Sequence, residues 1–337
     1  MELANFGLHP VSLDGLGALP EELDGSQGDN RLSQSHCQIQ ANNDWEAIQC
    51  WLAEFEDSPH TYRKYRIEAE RLLLWSIKQQ YKPISGLLRE DFQAYQVFIG
   101  NPQPEAYWCG PRAPRHSPSW KPFQGPLSQS SQRQALIVIN ALLSYWVDAG
   151  YIRGNPLSLI RRRNKMLTPA TDDVIVQERF LDQETWEHLK TYIAALPQGT
   201  RREIEHFERI RYLFHFLYLL APRVSEIASH SMNSFREFRG RWWWFVEGKG
   251  GKRARVPAND EMMDALIRYR RFLGLDDFPP EDDTSPVFRS VKGTNGVTGN
   301  MIYRLVKEIV VGAADSIEAE SPACARKLRS ASTHWFR

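Results

Sequence analysis

Three short segments of the sequence carry side chains that suit an anionic, phosphate-like ligand. They are APRVSEI with Arg223 and Glu226, GKGGKR with Lys249, Lys252 and Arg253, and the final HWFR with His334 and Arg337. Guanidinium groups bind phosphate oxygens through paired hydrogen bonds and stay charged at any physiological pH. Each segment also has an ordinary explanation: a surface ion pair three residues apart, a plain hairpin tip, and a structural histidine.

Together and in this order, the segments resemble the tyrosine recombinase, or phage integrase, family. That family has an Arg-x-Ser-Glu-Leu type box, then a Gly-Lys-Gly hairpin that ends in Val-Pro, then His-x-x-Arg. Here the hairpin reads GKGGKRARVP from Gly248 to Pro257. The helical region upstream resembles the family's core-binding domain, so the resemblance covers nearly the whole chain after the acidic N-terminal tail. The sequence departs from the pattern at Pro222, where the family usually has a small apolar residue.

The resemblance implies roles for four of these side chains in the transfer of a DNA phosphodiester to a protein hydroxyl. Arg223 and Arg337 would hold the non-bridging oxygens, where a preorganised donor is worth about 10²–10³ in rate. Glu226 would orient Arg223 from behind. His334 would help to manage the proton of the nucleophile and to bind the phosphate, because imidazole titrates near neutral pH.

The resemblance also implies a proton donor for the leaving 5′ oxygen on the hairpin. Lys249 would take this role, and Lys252 competes for it, although the resemblance favours the first lysine. We expect no metal ion and no other cofactor, because the reaction requires none and no cluster of carboxylates, histidines or cysteines has ligand spacing.

The nucleophilic tyrosine of the family follows His-x-x-Arg after a further helix, whereas this sequence stops at Arg337. We expect the tyrosines of the second half to pack on apolar helix faces instead of filling that position. They are Tyr212, Tyr218, Tyr269 and Tyr303. The chain is either a piece of an active recombinase or a naturally degenerate product. We favour the first, because every earlier box is intact and Trp335 and Phe336 look like side chains that enter a core.

Hydrophobic periodicity predicts helices on both sides of a basic linker, and RWWWFVEGKGGKRARVPA predicts a β-hairpin. SPVFRS predicts a short strand, and Thr298 is expected to cap a helix. The expected fold class is mainly α: a helical core-binding (SAM-like) N-terminal domain and an α-rich tyrosine-recombinase catalytic domain with a small antiparallel β-sheet. The expected divisions are an acidic disordered tail 1–42, a core-binding domain 43–152, a basic linker 153–179 and a catalytic domain 180–337, truncated before the nucleophile.

The net charge of +1 is the sum of an acidic N-terminal segment, residues 1–30, and a basic remainder, residues 31–337. Residues 1–30 contain six acidic side chains and no lysine or arginine, so the remainder carries +7. The tail is also rich in Gly, Ser, Asp and Asn, which predicts disorder. A basic body is compatible with a polyanionic partner.

A long loop between Gly100 and Leu127 is rich in proline and glycine, and such loops are usually functional or disordered. No acidic residue occurs between Glu105 and Asp148. A solvated surface and a phosphate-contacting arm explain this stretch about equally well. The candidate DNA-binding residues are Arg112, Arg115, Lys121 and Arg133 here, Arg161, Arg162, Arg163 and Lys165 in the linker, and Lys252 and Arg253 in the hairpin.

The best interpretation is a site-specific DNA recombinase that cleaves and rejoins DNA through a 3′-phosphotyrosyl intermediate, for a mobile element. Its expected partners are double-stranded DNA and further copies of itself, as a tetramer on DNA. The sequence as given lacks the nucleophile, so its own enzymatic activity is left open. One alternative is a catalytically inactive DNA-binding protein that occupies recombination sites. A type IB topoisomerase relative is a weaker alternative, because the upstream helical domain argues against it.

The location is expected to be the cytoplasm, without membrane contact. No apolar run is long enough to span a bilayer, and the N-terminus lacks the basic and apolar pattern of a signal peptide. The four cysteines form no CxxC pair, which favours free thiols in a reducing compartment.

Overall fold

The computed structural model describes residues 10–15, 17–161, 180–248, 251–291 and 293–336. The chain forms two units, Met1–Thr171 and Asp172–Arg337. A π-helical turn, Ser76–Gln80, continues the third helix of the first unit. The helices of the first unit are α1 (Glu21–Asp24), α2 (Asp44–Ala53), α3 (Pro59–Trp75), α4 (Arg89–Gly100), α5 (Glu105–Trp108), α6 (Gln129–Asp148) and α7 (Ser158–Arg161).

Side-chain caps set where the main helices of the first unit begin. The Asn43 side chain accepts a hydrogen bond from the Glu46 N–H at 2.9 Å at the start of α2. The Ser128 side chain does the same for the Ser131 N–H at 3.3 Å at the start of α6. Such caps satisfy backbone donors that have no partner within the helix. The apolar faces of these helices then form one core, which includes Leu72, Leu73, Ile139, Leu142 and Trp146.

The proline-rich loop between α4 and α6 is anchored by aromatic side chains. Trp108, Trp120 and Phe123 are at most 8% exposed and belong to the core of the first unit. Trp108 and Phe123 are also joined through the backbone, because the Phe123 N–H donates to the Trp108 carbonyl at 3.1 Å. The aromatic residues interleaved with the basic ones therefore hold the loop in place and leave the basic side chains to define its surface.

The N-terminal segment differs from its prediction as a disordered tail, 1–42. Its described part, 10–15 and 17–42, packs on the helical domain, with Leu13 and Leu23 buried. The prediction of disorder is wrong for this part, because composition does not reveal that the backbone finds partners on the domain. These backbone hydrogen bonds join Asn30 to Ser85, Leu32 to Tyr151 and Gln38 to Ala149.

A buried carboxylate lies where this segment meets the helices. Asp44 is fully buried and accepts hydrogen bonds from the Ser85 N–H and the Tyr151 hydroxyl, both at 2.9 Å. Burial raises the pKa of Asp44 to about 6, because a charged group is poorly solvated there. A Cβ on Gly25 would lie 2.2 Å from this carboxyl group, so only glycine lets the segment pass so close.

The second unit is α-rich with one small sheet. Its helices are α8 (Gln183–Ala194), α9 (Arg201–Leu220), α10 (Val224–Ser229), α11 (Asp260–Phe272), α12 (Gly299–Ile317) and α13 (Pro322–Ser330). Its strands are β1 (Phe235–Phe238), β2 (Arg241–Glu247) and β3 (Arg253–Pro257), and the described chain ends in a 3₁₀ turn, Thr333–Phe336. Thr298 caps α12 by accepting from the Met301 N–H at 3.3 Å. The predicted fold class is confirmed in both units.

The sheet is antiparallel with the order β1-β2-β3. The predicted hairpin is its β2–β3 pair, in which Trp244 faces Val256 and Glu247 faces Arg253. Strand β1 was not predicted, and SPVFRS forms isolated bridges, Ser231 to Pro286 and Arg289 to Gly296, where a strand was expected. Trp244 is 1% exposed and belongs to the core of the second unit, whereas Trp242 and Trp243 are half-buried.

The core of the second unit receives the end of the described chain. Phe336 is 5% exposed, with its ring centroid 5.6 Å from that of Phe214. Tyr212 and Tyr269 are stacked and buried, as expected of tyrosines on apolar helix faces. Tyr303 differs, because it is 46% exposed on α12. No helix in the described parts of either unit is both long and apolar enough to cross a membrane.

Candidate active site and basic groove

Arg223 and Glu226 form a close ion pair at the start of α10. Arg223 precedes the helix, and its backbone N–H donates to Glu226 Oε2 at 2.7 Å. Its Nη1 donates to Glu226 Oε1, also at 2.7 Å. The Glu226 side chain is 8% exposed and that of Arg223 is 46% exposed. The carboxylate therefore holds the guanidinium from the protein side and leaves most of its donors directed away from Glu226.

The tip of the β2–β3 hairpin lies against this ion pair. A Cβ on Gly248 would lie 3.1 Å from Glu226 Oε1 and 3.2 Å from Arg223 Nη1, so a side chain would crowd both. The Gly248 N–H donates to the Lys252 carbonyl at 2.8 Å, and the Gly251 N–H donates to the Gly248 carbonyl at 3.2 Å. These bonds close the turn around the Gly-Lys-Gly-Gly segment, whose two central residues lie outside the described residues.

The remaining predicted residues of the catalytic unit are placed as follows. Lys249 and Arg337 lie outside the described residues. Lys252 is exposed, and Arg253, 86% exposed, donates to Glu247 Oε2 at 3.2 Å. His334 is exposed on the last 3₁₀ turn. The structure thus brings the first box and the hairpin together, and within the described chain no hydrogen bond or ion pair connects His334 to either.

The first unit contains a groove of about 1460 Å³ between α3, the proline-rich loop and the start of α6. It has two acidic lining residues, Glu56 and Glu70. Its basic lining residues are Arg63, Arg66, Arg71, Arg112, Arg115 and Lys121. Three of the four predicted residues of the loop region thus share one surface with three arginines of α3 that were not predicted.

Arg115 is held on two sides by carboxylates. Its Nη1 and Nη2 donate to the two oxygens of Glu70 at 2.9 and 2.5 Å, and its Nε donates to Asp14 Oδ2 at 2.9 Å. Asp14 also pairs with Arg66. The hydrogen bond from Arg115 lowers the pKa of Asp14 below its ordinary value, since it favours the charged form. The acidic N-terminal segment therefore pairs with two arginines of the groove.

The other predicted DNA-binding residues are less informative. Arg133 is half-buried on α6 and does not line the groove. Arg161 ends α7, and its side chain is not among those described. Arg162, Arg163 and Lys165 fall outside the described residues.

The groove arginines of α3 were not among the predicted DNA-binding residues, although the sequence contains a signal for them. Arg63 and Arg66 are three residues apart, and Glu70 follows four residues later. This is the spacing of side chains that share one helix face. The charge pattern of the same helix would have indicated this stripe. Gly248 was recognised only as part of a turn, and no sequence signal indicates that it lies on the Arg223–Glu226 pair.

Comparison with solved structures finds this fold in proteins of low sequence identity. The XerH site-specific recombinase, in a post-cleavage complex with palindromic difH substrate, is 16% identical with a TM-score of 0.53, over 88% of this chain and 78% of that one. A lambda integrase dimer bound to a COC′ core site is 9% identical with a TM-score of 0.52, over 87% and 86%. The Tn1549 transposon integrase, in complex with transposon right end DNA, is 14% identical with a TM-score of 0.52, over 86% and 83%.

A comparison with protein-family models finds no match, and neither does one with curated protein sequences. The structural neighbours are tyrosine recombinases and integrases, and each spans most of this chain. At such identities, the likeness concerns the fold. Both the helical unit and the α-rich unit with its small sheet take part in it. The chain therefore has the fold of the tyrosine recombinases.

Proposed function

We propose that this protein is a site-specific DNA recombinase that cleaves and rejoins DNA through a 3′-phosphotyrosyl intermediate. The observation that carries the proposal is the position of Gly248 on the Arg223–Glu226 pair. It brings the start of the hairpin turn to the first arginine, within a fold that three recombinases or integrases solved in complex with DNA also have. An ordinary surface ion pair would not need a hairpin packed against it, and an ordinary hairpin tip would not need to contact an ion pair.

Arg223 is arranged to bind a phosphate. Glu226 occupies one of its terminal nitrogens and fixes its orientation, and nearly half of the side chain is exposed. When a nucleophile attacks a phosphodiester, negative charge grows on the non-bridging oxygens. A guanidinium that is already oriented stabilises this charge without reorganisation, which is why it accelerates the reaction. Arg337 is proposed as the second arginine of this clamp.

The reaction exchanges one ester bond for another. A tyrosine oxygen forms a bond to phosphorus, the bond from phosphorus to the 5′ oxygen breaks, and that oxygen takes a proton from the Lys249 ammonium group. His334 assists with the proton that the tyrosine loses. Rejoining reverses each transfer. We propose as nucleophile a tyrosine that follows the His-x-x-Arg box, as in the family that the sequence resembles. Tyr212 and Tyr269 are buried in the core of the second unit, and the exposed Tyr303 precedes that box in the sequence.

The groove of the first unit is proposed to bind the phosphate backbone of duplex DNA. Its basic residues come from α3 and the proline-rich loop, which the buried aromatic side chains hold in place. Such contacts position a protein on DNA and make its affinity depend on salt. We further propose that the protein acts as a tetramer on DNA in the cytoplasm. We also propose that it recombines the DNA of a mobile element.

The proposal is tested with a duplex selected from a random library for binding by this protein. A nicked suicide version of that duplex is incubated with residues 1–337 together with whatever residues follow Arg337 in the reading frame. We expect a covalent protein–DNA adduct on denaturing gels, with the protein attached to a 3′ phosphate through tyrosine. The adduct should be lost in Lys249→Ala and regained with a 5′-bridging sulfur, which leaves without a proton.

Residues 1–337 alone serve as the matched control and should bind the duplex without an adduct. An adduct from this polypeptide would move the nucleophile into residues 1–337. Binding without any adduct from the extended chain would favour the alternative of an inactive protein that occupies recombination sites. If sulfur rescues Lys252→Ala and leaves Lys249→Ala inactive, the proton donor is the second lysine.

A further inference from the structure

We propose that His230 is a positioning residue that holds the Glu247–Gly248 end of β2 against the Arg223–Glu226 pair. This inference rests on the proposed function and deepens it, because it names a residue that sets the geometry of the active site without touching DNA. His230 is half-buried and directly follows α10, the short helix that Arg223 and Glu226 begin.

The imidazole of His230 joins two elements through its two nitrogens. Nε2 lies 3.0 Å from the Glu247 backbone nitrogen, which has a hydrogen to donate. Nδ1 lies 2.8 Å from the Glu226 carbonyl oxygen, which can only accept. These partners require the neutral tautomer with its proton on Nδ1, because each bond then has one donor and one acceptor. The Ser229 hydroxyl lies 3.2 Å from the same Nδ1.

The two hydrogen bonds connect α10 to the hairpin at the residue that precedes Gly248. Glu247 is the last residue of β2, and Gly248 follows it on the ion pair. The ring of His230 also lies edge-on to that of Trp244, with centroids 5.7 Å apart, and Trp244 is fixed in the core. His230 thus sets the distance between the helix that follows Arg223 and the strand that leads into the turn.

The consequence for the reaction follows from chain connectivity. Lys249 is bonded to Gly248, so its Cα lies about 3.8 Å from that of Gly248. A shift of Gly248 therefore shifts the starting point of the lysine side chain by a similar amount. A displacement of about 1 Å between a catalytic group and the reacting bond can lower a rate by about 10²-fold.

The test compares His230→Leu and His230→Gln in the chain that forms the covalent adduct. Leucine removes both hydrogen bonds, and we expect single-turnover cleavage at saturating DNA to fall by about 10²-fold with DNA affinity unchanged. Glutamine offers an oxygen to the Glu247 N–H, so it should recover part of the rate. The decisive substrate carries the 5′-bridging sulfur, on which His230→Leu should cleave as fast as the unchanged protein.

His188→Leu is the matched control, because His188 is also half-buried and its Nε2 bonds to the Ala313 carbonyl at 3.2 Å, far from the hairpin in sequence. It should leave cleavage of both substrates unchanged. Equal loss on the ordinary and the sulfur substrate in His230→Leu would overturn the proposal in favour of a general structural role. If the unchanged protein forms no adduct, the proposed function fails instead, which is a different outcome.

A second measurement needs no catalysis and uses residues 1–337. The nitrogen chemical shifts of His230 report which ring nitrogen carries the proton. We expect a protonated Nδ1 and an unprotonated Nε2, together with slow hydrogen exchange of the Glu247 amide that becomes fast in His230→Leu. A proton on Nε2, or an exchange rate that does not change, would overturn the proposal even if the leucine variant were too unstable to assay.

Discussion

Two arginines of this protein, one in each unit, are paired with a buried glutamate. They differ in how many nitrogens of the guanidinium group bind carboxylates and how many are left for a ligand. Arg115 uses both terminal nitrogens on Glu70 and its Nε on Asp14, and its side chain is 32% exposed. Arg223 uses one terminal nitrogen on Glu226 and is 46% exposed. All three nitrogens of the first bind carboxylates, whereas the second is oriented through one terminal nitrogen and keeps the other for a ligand.

The same pair of residue types therefore serves two purposes. The bidentate pair is structural, because the 2% exposed Glu70 carboxylate takes two of its three described hydrogen bonds from Arg115 and the third from the Leu13 N–H. Glu226 likewise accepts from a backbone N–H, but it takes only one side-chain hydrogen bond from Arg223, which leaves the other terminal nitrogen of that arginine for a ligand. A count of ion pairs would treat the two as equivalent.

The largest expected difference is in catalysis. Arg223→Lys keeps the charge and loses the planar fork, so we expect the rate of adduct formation at saturating DNA to fall by about 10²–10³. Arg115→Lys should leave that rate unchanged, because Arg115 belongs to the other unit and each of its three nitrogens binds a carboxylate. Single-turnover assays on the suicide duplex measure both. Similar losses in the two variants would remove the distinction between the Glu226 pair and the Glu70 pair.

The next difference is in stability, where we expect the substitution of Arg115 to have a larger effect than that of Arg223. Arg115→Leu removes two of the three described hydrogen bonds of the buried Glu70 carboxylate and the charge paired with it, leaving the Leu13 N–H, so we expect the free energy of unfolding to fall by roughly 2–3 kcal/mol. This is below the range for fully buried pairs, because Arg115 is partly exposed. Arg223→Leu should lose about 1 kcal/mol or less, since Glu226 keeps the Arg223 N–H. Urea unfolding of residues 1–337 measures both, and a larger loss in Arg223→Leu would contradict the comparison.

The smallest expected effect concerns Asp14, which neutralises part of the groove. Asp14→Asn should release Arg66 and Arg115 from their shared carboxylate and raise affinity for duplex DNA by about fivefold, the size of a surface ion pair. The log–log salt slope should steepen by about 0.9 for each additional phosphate that the groove neutralises. Asp29→Asn makes the same charge change at an exposed residue of the same segment. Equal increases in affinity in the two variants would assign the effect to net charge and not to the groove.

Much of the fold follows from local patterns. Thr298 caps its helix as expected, and the apolar stripe of α3 lies in the core. The hairpin was predicted from its alternating arms and glycines, whereas β1 was missed because FREF is short and three of its four residues are exposed. The N-terminal segment was misjudged because its order comes from backbone bonds to distant residues such as Ser85 and Tyr151, which leave no trace in local composition.

By itself, the sequence determined which side chains are available for phosphate chemistry and in what order: an arginine with a glutamate three residues later, a glycine-lysine turn, and a terminal histidine and arginine. It also determined helices and hairpin, because periodicity and caps act over a few residues. Only the tertiary structure decided that Gly248 lies on the Arg223–Glu226 pair and that Asp14 reaches Arg115 across 101 residues of chain. Contacts of this kind depend on how separately formed elements pack, and packing is set by the summed fit of many side chains and not by any one segment.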